Sequence, residues 1–158
     1  MNDIAFESFD LSRAILSPNP PYQSTPASTL RPVSELLADG KLTLDSPLLV
    51  MTLGETSIAF STLQLVYHHV IQGEFKGQHW LASFCSICNG GSAFSPVVDG
   101  QVYTFSERGY YDAMILLYDS QTDSYWDHLR GICLYGASQG KKLQRLSNLL
   151  HMNVKQAL

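Results

Sequence analysis

The chain has 158 residues, of which 45% are hydrophobic and 15% are charged, and its net charge is −4 at neutral pH. This length and balance predict one folded domain with its own core and exclude a disordered chain. The acidic balance and the lack of a basic patch argue against a nucleic-acid-binding protein.

The N-terminal sequence MNDIAFESFDLSRAIL has early acidic residues and lacks the basic and apolar regions of a signal peptide. No apolar run reaches the length of a transmembrane segment. Three cysteines, an odd number, do not form a closed disulfide framework. We therefore expect a cytoplasmic protein whose thiols stay reduced.

Residues 1–32 are predicted to form a Pro-rich extension, and residues 33–158 a single domain. The segment SPNPPYQSTPASTLRP, residues 17–32, holds five of the seven prolines, which excludes a continuous helix or a central strand. We interpret the extension as an arm on the surface. The alternative is an arm that docks on a second subunit and so builds a homo-oligomer. The segment VSELLAD, residues 33–39, predicts a short helix capped by Ser34 and ended by Gly40.

From Pro47 onwards, short strand signals follow one another closely. The segment LLVMTLGETSIAFS predicts a hairpin that turns at Gly54 and Glu55, and STLQLVYHHVI predicts a short amphipathic helix that begins after Ser61. Asp99 and Gly100 predict a tight hairpin turn, because both residues tolerate positive φ. The apolar run DAMILLYD, residues 112–119, predicts a central strand buried on both faces.

Beyond residue 120, SQTD predicts a turn, SYWDHL, ICLYGAS and KKLQRL predict short strands, and LSNLLHMNVKQAL predicts a closing helix. Many short strands joined by hairpins predict an α+β fold that is mostly antiparallel β, a compact sheet or barrel-like domain with a few short helices. Nucleotide-binding and hydrolase signature motifs are absent.

Five segments follow one another along the chain: YHHVIQG, FCSICNGGSAF, VVDGQVYTFS, ILLYDSQTDSYWDHLRG and GASQGKKL. Their order and spacing resemble those of the bacterial family called domain of unknown function 3179, over a region from about Ile58 to Leu143. Members of that family show a Trp-His-Glu-Ile-Val-Asn-Asp segment, a Cys-Pro-Leu-Cys-Gly turn and an Asp-Gly hairpin, in that order. The resemblance implies a fold and candidate positions but no reaction. It places the N-terminal extension outside the family region.

The chain departs from the family pattern beside its candidate residues. His69 stands where the family usually has Glu, Ser86 stands where it has Pro, and Asn89 follows Cys88 where Gly is usual.

Cys85 and Cys88 lie at the spacing that lets two thiolates hold one metal ion from a single turn, and sulfur ligands suit zinc, iron or copper. Further ligands would come from His68, which matches the family's histidine, or from Cys133. The sequence also offers other candidates, and these are His69, His79, His128 and His151.

Two other interpretations of the cysteine pair remain open. The pair could cycle between dithiol and disulfide, although no helix that would acidify the first thiol follows it. It could also be a purely structural turn with buried thiols. Arg108, Tyr110 and Tyr111 are candidate contacts for a substrate or an anion, although surface pairing and aromatic packing are the more usual explanation for such residues.

The leading hypothesis is therefore a metal-binding protein of unknown reaction. The alternatives are a non-catalytic binding or assembly module and, third, a thiol redox protein.

Overall fold

A computed structural model describes residues 9–17, the backbone of residues 25–26, and residues 30–158. Much of the predicted Pro-rich segment therefore lies outside the described residues. The strands of the described chain, in order, are β1 Ala14–Leu16, β2 Thr25–Pro26, β3 Pro47–Leu53, β4 Thr56–Ser61, β5 Val70–Phe75, β6 Gln78–Cys85, β7 Gly90–Phe94, β8 Val97–Val98, β9 Gln101–Val102, β10 Phe105–Tyr111, β11 Met114–Asp119, β12 Ser124–Asp127, β13 Cys133–Tyr135, β14 Arg145–Asn148 and β15 Leu150–Asn153. The helices are α1 Val33–Ala38, α2 Thr62–His68 and α3 Val154–Ala157, and Leu11–Arg13 forms a short 3-10 helix.

The strands form two five-stranded sheets, a three-stranded sheet and a hairpin. The first sheet has the order β1-β10-β11-β12-β13, and the second has the order β14-β7-β6-β5-β2. The third has the order β15-β3-β4, and β8 and β9 form the hairpin. Among the described strands every pair is antiparallel except β2 with β5, which is parallel. The prediction of a mostly antiparallel β fold with few short helices is confirmed.

The second sheet lies in the middle of the molecule, and its strand β6 shows this most clearly. Trp80, Ala82 and Phe84 of β6 belong to one apolar cluster, together with residues of β3, β4 and α2. Leu81 and Cys85 belong to another cluster, together with residues of β10, β11 and β12. Because side chains alternate along a strand, β6 faces the third sheet with one row and the first sheet with the other. Cys85 therefore points towards the first sheet.

Several local predictions are confirmed. The hairpin that turns at Gly54 and Glu55 is β3–β4, and β11 is the central, buried strand of the first sheet. Asp99 and Gly100 form a turn with φ values of 50° and 81°, as a tight hairpin requires. The helix α1 is present, but its N-cap is Pro32 and Ser34 lies inside the helix.

The predicted closing helix is wrong over most of its length. Residues 145–148 pair with β7, residues 150–153 pair with β3, and only the last turn is helical. Asn153 begins that turn with a capping box, because its side chain accepts the Gln156 N–H while the Gln156 side chain accepts the Asn153 N–H. Pairing with two existing strands stabilises this segment more than a short isolated helix would, and it also buries Leu149 in the core.

The described part of the N-terminal extension adds to the sheets of its own chain. β1 pairs with β10, and Ile15 lies opposite Tyr110. The backbone of β2 pairs with β5. That the arm docks on a second subunit, and that the domain boundary lies at residue 33, stay predictions. No helix among the described residues is long and apolar enough to cross a membrane.

Candidate metal centre

Two strand ends from different sheets meet at the candidate site. Cys85 is the last residue of β6 and is fully buried, with its side chain directed towards the first sheet. Residues 86–89 form a tight turn, and β7 begins at Gly90, which pairs with Cys85 across the turn. Cys88 therefore folds back towards Cys85. The prediction that this segment is a turn between two strands is confirmed.

Small residues let the turn pack closely. A Cβ atom on Gly90 would lie 3.3 Å from Leu129 Cδ2 and 3.4 Å from Cys88 Sγ. A Cβ atom on Gly91 would lie 2.7 Å from Leu149 Cδ1 and 2.9 Å from the Ser83 carbonyl oxygen, which is closer than real Cβ atoms approach. Gly90 thus lets the turn lie against Leu129 in the loop that follows β12, and Gly91 lets β7 lie against β6 and Leu149.

That loop carries His128. Asp127, at the end of β12, accepts hydrogen bonds through Oδ1 from the Leu129 N–H and the Arg130 N–H, both at 2.8 Å. This is the local bonding by which an aspartate fixes a turn. The Ser83 hydroxyl donates to the His128 carbonyl oxygen at 3.4 Å, and the Arg145 guanidinium donates to the Leu129 carbonyl oxygen. The loop is thus held against the second sheet, and His128 is fully buried.

Cys85, Cys88 and His128 bring three metal-ligating atoms together. Their ligand atoms all lie within 4.8 Å of one another, and Cys88 Sγ is 3.8 Å from His128 Nε2. The Cys88 N–H donates to Cys85 Sγ at 3.4 Å, and such a donor suits the charge of a thiolate ligand. The group could hold a metal ion.

Burial disfavours the charged forms of His128 and Cys88. Burial, opposed by Asp127 and aided by His69, lowers the pKa of His128 from 6.5 to about 4. Partial burial and a hydrogen bond with Cys85 raise the pKa of Cys88, whose sulfur faces inward although the residue as a whole is exposed. His128 Nδ1 is buried and has no hydrogen-bond partner among the described residues, so Nε2 makes the polar contact of the ring.

The structure places the other predicted ligands away from this group. His68 ends α2, is half-buried, and has its ring edge-on to Tyr67 with the ring centroids 5.1 Å apart. Cys133 shares an apolar cluster with Cys85, but its thiol donates to the Tyr135 carbonyl oxygen at 3.4 Å, and burial raises its pKa to about 11. Within the described part of the chain, the structure joins Cys85 and Cys88 to His128 and not to His68 or Cys133.

The three predicted contact residues separate in the structure. Tyr110 lines a cavity beside β1. Tyr111 stacks on Phe9 with ring centroids 4.7 Å apart, and the Arg108 guanidinium lies 5.4 Å from the ring centroid of Tyr118.

The profile of a family described as "Protein of unknown function (DUF3179)" matches residues 20–157. The chain belongs to this family. The match is longer than the five motifs suggest, and it includes residues 20–32, so the prediction that the extension lies outside the family region is wrong for that part. No curated protein matches the chain, and no solved structure matches it.

For this DUF3179 chain, the sequence identified Cys85 and Cys88 as members of the candidate centre. It ranked the third member, His128, below His68. The Cys-x-x-Cys spacing is local and directly visible. His128 lies 40 positions from Cys88 in the sequence. Its only sequence signal is its place directly after YWD, the last three residues of β12.

Proposed function

We propose that this protein binds one transition metal ion, zinc in the first instance, through Cys85 Sγ, Cys88 Sγ and His128 Nε2. The observation that supports the proposal is the convergence of these three atoms within 4.8 Å from two different sheets. Thiolate and imidazole ligands together suit zinc, and they also suit iron and copper.

The spacing of the three atoms is close to that of a metal site. With usual zinc–sulfur and zinc–nitrogen lengths, neighbouring ligand atoms of a tetrahedral site lie about 3.5–3.8 Å apart. The distance of 3.8 Å between Cys88 Sγ and His128 Nε2 needs almost no adjustment. Cys88 lies in a short exposed turn, so its sulfur can move the remaining fraction of an ångström at low cost.

Three protein ligands leave one position for water or a substrate. Such an incomplete set is typical of catalytic zinc sites, whereas structural sites have four protein ligands. The solvent-exposed turn that carries Cys88 provides access from one side. The proposal therefore includes an exchangeable fourth ligand but names no reaction.

The two alternative functions have less support. A reactive thiol pair needs an accessible first thiol, and Cys85 is fully buried. An assembly function through the arm needs a free arm, and β1 of the described arm pairs with β10 of the same chain.

The test is a metal titration of the reduced, chelator-treated protein. We expect one equivalent of zinc to bind, and one equivalent of cobalt(II) to give the intense absorption of cobalt–thiolate bonds. Cys88→Ser should weaken binding at least 100-fold, because a thiolate ligand is lost. His128→Asn should have the same effect and should change the cobalt spectrum.

Cys133→Ala and His68→Gln are the matched controls, since each removes a potential ligand outside the group. Both should bind zinc as the parent does. Absence of saturable binding would overturn the proposal, and so would binding that survives Cys88→Ser but is lost in His68→Gln.

A further inference from the structure

A cavity of about 270 Å³ lies between the N-terminal strand and the bent part of the first sheet. Ile15, Leu16 and Ser17 form one wall, and His69 with residues 107–110 of β10 forms the other. At about 30 Å³ for each group the size of a water molecule, the cavity has room for roughly nine such groups. None of Cys85, Cys88 and His128 is among its lining residues, although His69 and Tyr110 interact electrostatically with that group.

His69 is held in the cavity wall at three points. Its N–H donates to the Leu65 carbonyl oxygen at 2.8 Å, and its carbonyl oxygen accepts the Phe84 N–H at 2.9 Å. Its ring Nδ1 is 3.1 Å from the Phe84 carbonyl oxygen. A carbonyl only accepts hydrogen bonds, so Nδ1 carries a proton and Nε2 of the neutral ring is an acceptor. The ring is thus fixed in both tautomer and orientation.

The backbone of His69 is also strained. Its φ is 58°, in the left-handed region that non-glycine residues seldom occupy. His69 is the C-cap of α2, and a left-handed residue is a common way for a helix to end. The bond from its ring to the Phe84 carbonyl oxygen is additional to that helix ending.

A bulge in β10 brings two polar side chains to the same wall. Glu107 pairs with Leu117 and Tyr110 pairs with Ile115, so two residues of β10 lie opposite one residue of β11. Leu117 and Ile115 are two positions apart and face the same side. Glu107 and Tyr110 therefore face the same side as well, although in a regular strand residues three apart face opposite sides.

Glu107 is an acid with almost no access to water. Only 3% of its surface is exposed, and its carboxylate accepts a hydrogen bond from the Gly109 N–H. Burial raises its pKa, and His69 opposes that rise. Buried acids are uncommon unless they have a partner, and the partners of Glu107 are the Gly109 N–H and the charge of His69.

We propose that this cavity binds a small uncharged alcohol or phenol, with its hydroxyl group donating a hydrogen bond to His69 Nε2 beside Glu107 and its apolar part against the wall formed by β1. An uncharged ligand fits because no lysine or arginine is among the lining residues described, which leaves an anion without a counter-charge. A cationic ligand would need an ionised Glu107 as its counter-charge. Ionising this buried carboxyl group is costly, so a cationic ligand is disfavoured. This proposal does not depend on metal binding.

The probes are phenol and cyclohexanol, with benzoate and benzylamine as charged counterparts of similar size. Binding is followed by saturation-transfer NMR and by the shift of the His69 ring resonances. We expect the uncharged probes to bind and to move the His69 resonances, and the charged probes to bind at least 10-fold more weakly.

Three variants test the position of the site. Leu16→Trp should fill the cavity and abolish binding, and His69→Gln should weaken it about 10-fold, the equivalent of one hydrogen bond. Tyr111→Phe, which alters a side chain outside the cavity wall, should bind as the parent does. Amide NMR spectra establish that each variant is folded, and His69→Gln carries the test if Leu16→Trp is not.

Three outcomes would overturn the proposal. These are the absence of binding by all uncharged probes, binding that is unchanged in His69→Gln, and preferential binding of benzoate or benzylamine.

Discussion

His128 illustrates how one residue can make the stability of this protein depend on pH. Its ring is fully buried between two sheets, and an imidazolium ion there would lose its hydration. The folded state therefore prefers the neutral ring. Neutral imidazole is also the form that binds a metal ion, so burial prepares this residue for the proposed role.

We predict that the metal-free protein loses stability on acidification through His128. Its pKa falls from 6.5 to about 4 on folding, so its contribution is present above pH 6.5 and is lost as the pH falls to about 4. The loss is at most about 3 kcal/mol. Urea unfolding between pH 4 and pH 7, in the presence of a chelator, measures it.

The control for this prediction is His128→Asn, whose stability should vary less over the same range. The difference in stability between parent and variant is the relevant quantity, because Glu107 makes stability change with pH in the opposite direction. Its raised pKa means that its contribution is lost as the pH rises above 4.5. Identical pH profiles for parent and variant would contradict the prediction.

At the scale of single elements, β1 and the bulge of β10 form one structural unit. Gly109 lies in the bulge with φ of 118°, and a Cβ atom there would lie 2.1 Å from the Ile15 carbonyl oxygen. No side chain fits that space. Glycine therefore allows both the bulge, which aligns Glu107 with Tyr110, and the pairing of β1, which forms one wall of the cavity.

We predict that Gly109→Ala releases β1 and destabilises the protein by about 2–4 kcal/mol, since strain and steric overlap add. Gly100→Ala is the control, because Gly100 also has positive φ, 81°, but nothing lies within 4 Å of the added Cβ. Urea unfolding gives the cost of each. Equal costs would show that the contact with β1 contributes nothing.

The turn after β11 is a second element whose residues are structural. Asp119 accepts the Thr122 N–H at 2.6 Å and the Trp126 indole N–H at 2.7 Å, and it is fully buried. The spacing of Asp119, Asp123 and Asp127 in the sequence is compatible with a calcium site. The carboxylates of Asp119 and Asp127, however, accept hydrogen bonds from backbone N–H groups of their own turns, which is the usual role of aspartate in a turn.

At the scale of the whole molecule, the second sheet is covered on both faces. β6 is paired with β5 and β7, and its two rows of side chains belong to two apolar clusters. β1, in contrast, is an edge strand of three residues with no buried side chain. The molecule therefore has a stable centre and a weakly held edge over the cavity.

We predict that native-state hydrogen exchange follows this arrangement. Amides of β6 and β11 should exchange only through global unfolding, because opening them breaks pairing on both sides and exposes core. Amides of β1 should exchange at least 100-fold faster, and binding of a cavity ligand should slow them. Equal protection of β1 and β6 would contradict this description.

The sequence by itself determined the features that depend on neighbouring residues. The Cys85–Cys88 spacing, the Asp99–Gly100 turn and the buried strand of residues 114–119 follow from local conformation and local hydrophobicity, and the structure has all three. Family membership was also visible, since it depends on the order of short motifs along the chain.

Only the tertiary structure decided which distant residues meet. His128 joins the cysteines because β6 and β12 end at the same place in two facing sheets, and no local pattern encodes that meeting. Glu107 and Tyr110 face one cavity because an unpaired residue in β10 changes the direction of its side chains. Residues 145–148 and 150–153 form strands because the edges of β7 and β3 have backbone groups available for pairing. Pairing with these edges stabilises the segment more than an isolated helix would.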